Sequence, residues 1–207
     1  MRRIFLFAAA LTAFALVGIA AAAPPAGVTI SAGRPSVVFG STVKLSGTVA
    51  NHQAGEHVIV LGRPYGVATF TQVAAVDTGA KGVWTYMATP QIQTSYEASW
   101  RAVNSSRFVT VKVRPRIRLS LVSRTATRGT FSVQVDGNRP FTGKYVLVQR
   151  LTPSGPATVK HATLNSSSSA TFTIRLPRHR ARVRVVMPTS QAAPGYIAGY
   201  SNVWKSS

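Results

Sequence analysis

The sequence predicts an all-β protein built from two tandem antiparallel β-sandwiches. A segment that occurs twice is the main observation: AGEHVIVLGRPYGVATFTQV at 54–73 and TGKYVLVQRLTPSGPATV at 142–159. Each copy has a glycine-led turn, a strand with valine at alternate positions, a polar loop and a second short strand. A repeat of about ninety residues made of strands and turns is typical of sandwich domains in series. We therefore expect immunoglobulin-like or fibronectin-III-like sandwiches after an N-terminal signal peptide.

Residues 1–23 have the order of a secretory signal peptide. Two arginines open the segment, an apolar run follows over 4–19, and four alanines precede two prolines. This order predicts cleavage between Ala22 and Pro25. A membrane helix is the rival interpretation, because the apolar run is long enough to span, but the run ends in small residues with no cationic flank. We expect a secreted protein, extracellular or associated with the cell envelope, whose mature chain has no integral membrane span.

The composition limits how the domains are stabilised and what they bind. The chain has no cysteine, which excludes disulfides and a lipid on an N-terminal cysteine, so burial must hold each domain together. Lysine and arginine number 24 against four acidic residues. Residues 24–113 carry seven basic and three acidic residues, whereas 114–207 carry fifteen basic residues and one acidic residue. The second domain is therefore a cationic module, which favours anionic partners in a salt-dependent way.

Seven strands are expected in a first domain at 24–114. The clearest is VKLSGTV at 43–49, where alternation directs Val43 and Leu45 inward. Glycine, proline, asparagine and serine separate the strands, as in the turn NHQAG at 51–55. The predicted strands are 28–31, 42–49, 57–61, 69–75, 83–89, 96–103 and 108–113. The predicted core side chains are Val43, Leu45, Val49, Val58, Val60, Trp84, Tyr96, Ala98 and Trp100.

A second domain at 115–207 repeats this plan. The boundary is placed at Pro115, because proline cannot donate to a sheet ladder and belongs at a strand start or in a linker. Few residues separate the two strand patterns, so a stiff end-to-end arrangement is expected. No window after residue 23 keeps the apolar spacing of a helix, and we expect no helix longer than about two turns. The predicted strands are 116–122, 130–135, 144–150, 157–164, 170–176, 181–187 and 198–204.

Four segments carry a resemblance to a known group of proteins. AGEHVIVLG, its partner TGKYVLVQR, the segment TSYEASW and the terminal QAAPGYIAGYS resemble the immunoglobulin-like repeat regions of secreted bacterial proteins, most of all actinobacterial ones rich in alanine and arginine. The resemblance covers nearly the whole mature chain. The second copy departs from the first at two positions. One is Pro156, and the other is Phe172, which stands where the first copy has Trp84. The resemblance implies a binding, adhesive or spacer role and no active site.

The residues that catalysis and metal binding require are scarce. The carboxylates are Glu56, Asp77, Glu97 and Asp136. We expect them to be solvated or turn-forming, because general acid–base work needs titratable groups held close together. A turn brings His52 and His57 near Glu56, but two histidines and one carboxylate are a weak metal signature. We predict no enzyme, no cofactor and no metal site.

The sharpest candidate site is cationic. In RHRARVRV at 178–185, Arg180, Arg182 and Arg184 share one strand face and small apolar residues share the other. Guanidinium groups about 7 Å apart suit successive phosphates or carboxylates. Arg114, Arg116 and Arg118 form a second such row. The alternative is a solvated polar sheet face. The full candidate anion-binding set is Arg114, Arg116, Arg118, Arg178, Arg180, Arg182 and Arg184.

Two function classes remain open from the sequence. The first is a non-catalytic protein that binds an anionic envelope component or extracellular polymer, or a protein partner, or acts as a structural and adhesive spacer. The second is an accessory carbohydrate-binding protein that stacks sugars on aromatic rings. Intracellular nucleic acid is disfavoured by export and by the absence of aromatics between the arginines. The candidate aromatics are Tyr65, Phe70, Tyr196, Tyr200 and Trp204.

Overall fold

The computed structural model describes residues 27–104, 107–177 and 181–206. The predicted signal peptide lies outside the described residues, as do Arg178 and Arg180 of the first arginine row. The described part is almost entirely β-strand, arranged in four sheets whose pairings are antiparallel except for one. The prediction of an all-β chain of antiparallel, immunoglobulin-like sandwiches is therefore confirmed.

The first half, up to residue 114, consists of a three-stranded and a six-stranded sheet. The smaller sheet has the order β1-β3-β6. The larger has the order β2-β9-β7-β4-β5, with β8 added beside β7. A single 3₁₀ turn, Ala80–Gly82, precedes β6. The strands are β1 Ser31–Ala32, β2 Ser36–Val38, β3 Val43–Thr48, β4 His57–Pro64, β5 Thr71–Asp77, β6 Val83–Ala88, β7 Thr94–Trp100, β8 Val103–Asn104 and β9 Val109–Arg114.

The second half, from residue 115 onward, has the same two layers. One sheet has the order β10-β11-β14, and the other has the order β13-β12-β15-β16, with β17 beside β15. Helix α1, Thr189–Ala192, is one turn long, within the limit that the sequence predicted. The strands are β10 Arg116–Arg124, β11 Arg128–Asp136, β12 Tyr145–Thr152, β13 Gly155–Thr163, β14 Ser169–Arg175, β15 Arg182–Met187, β16 Gly199–Tyr200 and β17 Trp204–Lys205.

The repeated segment forms the same hairpin in both halves. It is β4–β5 in the first copy and β12–β13 in the second. Both hairpins contain a register shift at the same place in the repeat, between Val60 and Leu61 and between Val148 and Gln149. A bulge of this kind increases the local twist of the strand pair. The internal repeat of the sequence is therefore a repeat of structure down to its irregularity.

All nine side chains predicted for the first core are buried. In the smaller sheet, fully buried Trp84 lies opposite Gly47, whereas in the second half Phe172 lies opposite Phe131, with the two rings stacked 5.9 Å apart. The second copy thus places two stacked rings where the first copy places one tryptophan opposite glycine.

The last predicted strand, 198–204, is interrupted after Tyr200. The side chain of Asn202 takes over from the backbone there: its amide oxygen accepts from the backbone N–H of Leu119, and its amide nitrogen donates to the carbonyl of Leu119, both at 2.9 Å. The Ser201 hydroxyl accepts from the backbone N–H of Val185. Side chains that bond backbone groups compete with a ladder, which divides this segment into β16 and β17. In the first half, the short strand β2 lies outside all the predicted strands.

The two halves meet at Pro115, which is buried. Within the described residues, no strand ladder crosses this proline, but the buried side chains of both halves form one continuous cluster. The loop at 192–198 reaches back to the first half: Ile197 N–H donates to the Val113 carbonyl, and Gly195 accepts from Gln93 N–H. The junction is therefore packed. That each half folds alone, with bounds at 24–114 and 115–207, stays a prediction.

Tyr196 lies at the junction and bonds both halves. Its hydroxyl accepts from the backbone N–H of Asn138 and donates to the carbonyl of Gln91 in the first half, both at 2.6 Å. Burial raises the pKa of this phenol, so the proton that it donates is retained at neutral pH. Its ring meets Phe141 edge-on at 5.6 Å. The hydroxyl thus connects the two halves through one atom.

Replacing Tyr196 with phenylalanine should lower the free energy of unfolding by about 1–3 kcal/mol, because a buried N–H and a carbonyl lose their partner. Urea denaturation measures this. The matched control is Tyr200→Phe, whose ring is half-exposed and whose hydroxyl forms no hydrogen bond among the described residues. Equal effects of the two substitutions would contradict the role given to Tyr196.

Gly47 lies tightly against the backbone of Thr29 in the first core. A Cβ atom there would lie 1.8 Å from the Thr29 carbonyl oxygen and 2.8 Å from Trp84 Nε1. Gly47→Ala should therefore destabilise the fold by about 3 kcal/mol or more, at or beyond the usual range for overpacking. Gly33→Ala is the control, because its nearest neighbour would be 3.5 Å away. Thermal unfolding of both variants checks this, and a wild-type midpoint for Gly47→Ala would show that the approach is not tight.

Candidate anion-binding site

The outward face of the sheet β10-β11-β14 carries two of the predicted arginines. Alternation along β10 buries Ile117 and Leu119 and turns Arg116 and Arg118 outward. The register places Arg116 opposite Asp136 and Arg118 opposite Gln134 on β11. These four polar side chains therefore share one face at the end of the sheet that lies next to Pro115.

A cleft of about 660 Å³ opens at this end of the face. Phe39 of the first half forms one wall, and the turn at 137–140 and the loop at 166–168 form the others. Arg116, Arg118 and Arg139 line it, against the single carboxylate of Asp136. We call Arg116 and Arg118 the cleft arginines. Three guanidinium groups and one carboxylate give the cleft an excess of positive charge, with both donors and acceptors at its walls.

Asp136 is the one acidic residue of the second half, and its pairing is incomplete. Arg118 Nη2 lies 3.1 Å from Asp136 Oδ2, yet this oxygen is buried and has no partner with hydrogen-bond geometry. We take the pair as an ion contact without a directional bond, because the charges are close although the donor is poorly aligned. The Arg118 side chain is 59% exposed, so it stays open to solvent despite this contact.

Arg139 belongs to the cleft and was missed by sequence reasoning. Its Nη2 atom donates to the carbonyls of Ala192 and Pro194, at 2.8 and 3.2 Å, and its guanidinium lies 5.3 Å from the ring centre of Phe141. Its Nε atom is buried without a hydrogen-bond partner. Arg139 therefore holds the junction loop and adds charge to the cleft wall. An isolated arginine in a turn gives no periodic signal by which to find it.

The row Arg114, Arg116 and Arg118 spans two strands, because Arg114 ends β9 and the other two begin β10. Arg114 ends β9 in the first half, and its Nη1 atom donates to the carbonyl of Ala198. The strands β9 and β10 belong to different sheets. Arg116 and Arg118 line the cleft, whereas Arg114 bonds the loop at the junction.

Arg114 instead comes close to a member of the other row. The guanidinium carbons of Arg114 and Arg184 lie 5.8 and 5.4 Å from the ring centre of Tyr200. Arg184 Nε also donates to the side-chain carbonyl of Gln149 at 2.9 Å. Arg184 is half-buried, whereas Arg182 is exposed and Val183 is buried beside it. The described part of this row thus alternates as the sequence predicted, on strand β15 next to β12.

Arg182 faces a like charge across the sheet. It lies opposite Lys205 of β17, and both are exposed. Directly opposed like charges destabilise a strand pair. This end of the second half is therefore cationic, in agreement with the charge distribution of the sequence.

Glu56, expected to be solvated or turn-forming, is half-buried and bonds Asn51 of the turn that precedes β4. Its carboxylate accepts from Trp100 Nε1 and Asn51 Nδ2, both at 2.7 Å, and from Arg101 Nη2 at 2.8 Å. The hydrogen bond from Trp100, then that from Asn51, and the contact with Arg101 hold the pKa of Glu56 below its usual range, against the opposing effect of burial. The Arg101 guanidinium also covers the Trp100 ring at 4.6 Å. Glu56 thereby ties the turn after β3 to the end of β7.

The histidines do not form a ligand set with Glu56. His57 Nδ1 lies 2.9 Å from Asp77 Oδ1 on the neighbouring strand, while Glu56 is bound to Trp100. Over the part of the chain that the structure describes, no three or more histidine and acidic side chains come together to hold a metal ion. None of the helices in those ranges has the length and apolar character of a membrane span.

The candidate aromatics have different environments. Tyr196 is buried, and Trp204 packs edge-on against Phe131 at 5.0 Å. Tyr65 is half-exposed. Phe70 forms a surface pair with Phe108, 6.5 Å between ring centres. The Arg63 guanidinium lies 4.6 Å from the Phe70 ring centre and 5.8 Å from that of Phe108. Phe108, which sequence reasoning did not single out, is 57% exposed.

Comparisons with known proteins assign no family to the chain. No protein-family model matches it, and no curated protein matches it. Among solved structures, a tetra-tandem repeat from the extending region of a large adhesion protein aligns with 86% of this chain and 48% of its own length, at 14% identity and a TM-score of 0.33. E. coli alpha-2-macroglobulin in its native conformation aligns with 86% of this chain and 16% of its own length, at 10% identity and a TM-score of 0.35. The chain thus spans less than half of either protein, and likenesses at these TM-scores identify no function.

The contribution of Glu56 to stability should depend on pH. Its pKa is lowered in the folded state, so its contribution to stability is present above the unfolded value of about 4.3 and is lost as the pH falls through the folded value. The difference in urea midpoint between wild type and Glu56→Gln should be largest at about pH 7 and should shrink in acid below about pH 4. The control is Glu97→Gln, since Glu97 forms no side-chain hydrogen bond among the described residues. A difference that is constant with pH would contradict this role.

Proposed function

We propose that this chain is a non-catalytic, secreted protein of immunoglobulin-like sandwiches whose second half binds an anionic polymer of the cell envelope or extracellular space. The observation that supports it most is the cleft: two outward arginines on a rigid sheet, a third beside them, and one poorly aligned carboxylate. Guanidinium groups on strands are held in place better than those on loops, and they match carboxylate and phosphate geometry. The first half then serves as a spacer and as one wall of the cleft.

A non-catalytic role is consistent with how the carboxylates are used. Glu56 is bound by three donors, Asp77 pairs with His57, and Asp136 lies against Arg118. Hydrolytic chemistry on sugars needs two carboxyl groups facing each other across a substrate. Each of these three is instead engaged with a basic or donor group, which supports binding over catalysis.

The second candidate is an accessory carbohydrate-binding protein. The surface pair Phe70 and Phe108, with the Arg63 guanidinium across both rings, favours it. Aromatic faces bind sugars by apolar contact, which salt does not screen, whereas ion contacts weaken as salt is added. Binding that survives high salt and is lost in Phe108→Ala would support this candidate over the first.

The arginine proposal predicts a specific loss. Arg116→Gln combined with Arg118→Gln should elute from a heparin column at lower salt than wild type, and the slope of log affinity against log salt should fall by about one to two. The control, Arg34→Gln with Lys44→Gln, removes the same charge from exposed positions of the first half. Far-ultraviolet circular dichroism confirms folding of both. Equal elution shifts in both variants would mean that net charge alone causes retention and would refute the site.

A further inference from the structure

A second cationic group lies at the other end of the face that carries the cleft. Arg128 of β11 lies directly opposite Arg175 of β14, and both are exposed; we call them the distal pair. In the described ranges neither forms an ion pair with a carboxylate. Opposed like charges weaken a strand pair, so this arrangement costs stability and favours a bound anion between the two guanidinium groups.

The strip between the distal pair and the cleft is polar. Every second residue of β11 and β14 lies on the same face as the distal pair. Between that pair and Asp136, these residues all carry hydroxyl or amide side chains. Thr130 and Thr173 are joined across the strands, with their hydroxyl oxygens 2.9 Å apart. The aromatic side chains of these strands, Phe131 and Phe172, are buried on the opposite face. The remaining members of the strip are Ser132, Gln134, Ser169 and Thr171.

The length of the strip suits a chain molecule rather than a single small ion. Arg128 and Asp136 are the two ends of β11, and at ~3.3 Å per residue they lie about 26 Å apart. The cleft arginines lie at one end of this distance and the distal pair at the other. A ligand that meets both must be extended, must carry acidic groups at intervals, and must tolerate hydroxyl contacts between them.

We propose that this face binds one extended anionic polysaccharide along β11, with acidic groups on the cleft arginines and on the distal pair and with sugar hydroxyls on the strip between. The proposal rests on the proposed function and adds the ligand class and its path. Serine and threonine hydroxyls both donate and accept, as sugar hydroxyls do. Single-stranded nucleic acid fits less well, because among the described residues the strip itself carries no aromatic ring to stack a base, and Phe39 stands only at the cleft wall.

The experiment compares short and long forms of one polymer. Galacturonate disaccharide and polygalacturonate are titrated at one salt concentration into wild type, into Arg128→Gln/Arg175→Gln and into Arg116→Gln/Arg118→Gln. Arg116→Gln/Arg118→Gln, the cleft variant, should weaken binding of both ligands. Arg128→Gln/Arg175→Gln, the distal variant, should leave the affinity for the disaccharide unchanged and weaken that for the long chain about tenfold, because a second contact on the same chain acts through effective concentration.

Each other result counts against the proposal. Full affinity of the distal variant for polygalacturonate overturns the path along β11 while the cleft function stands. No loss in either variant overturns the proposed function as well. Tighter binding of single-stranded DNA or polyphosphate of matched length, with the same dependence on the distal pair, assigns the face to another polyanion and overturns the ligand class.

A second variant separates binding from folding. Arg175→Glu places a carboxylate opposite Arg128, and opposed unlike charges stabilise a strand pair. This variant should unfold at a temperature equal to or above that of wild type and should still lose the advantage of the long chain over the disaccharide. If the long-chain advantage persists in this variant, the distal pair does not contact the ligand.

Discussion

Residues 114–207 hold fifteen basic residues and a single acidic residue, and much of the local structure there follows from this imbalance. Guanidinium groups that have no carboxylate partner bond neutral groups instead. Arg139 donates to two loop carbonyls, Arg114 to the carbonyl of Ala198, and Arg184 to the amide of Gln149. Such bonds satisfy N–H donors but leave the positive charge uncompensated. The surface around them therefore keeps a field that attracts anions.

The same bonds fix how the two halves meet. The loop at 192–198 accepts from Arg139 on one side and from Gln93 in the first half on the other, and Tyr196 adds its hydroxyl bridge. The cleft depends on this docking, because Phe39 of the first half forms one of its walls. Arg139 is held by backbone carbonyls of the junction loop, whereas the Arg118 side chain is largely exposed and open to a ligand.

Much of the fold was predictable because alternation is a local property. The valines of the repeated strand and the aromatic core of the first half were assigned correctly, since period-two burial needs only neighbouring residues. The environment of Glu56 was not predictable, because Trp100 is 44 positions away and reaches it only after β4 and β7 pair. Asn202 was missed for a similar reason: it replaces a strand bond to Leu119, a contact that no spacing in the sequence encodes.

The sequence by itself determined that the chain is made of strands in two repeats, that no disulfide supports them, and that the second half is strongly cationic, because composition and alternation are read residue by residue. Only the tertiary structure decided which cations act together. Arg114 bonds the carbonyl of Ala198, whereas Arg118 lies beside Asp136. Arg128 lies opposite Arg175 on the neighbouring strand. Register between strands that are distant in the chain sets these neighbours, and a shift of one residue turns every side chain to the other face.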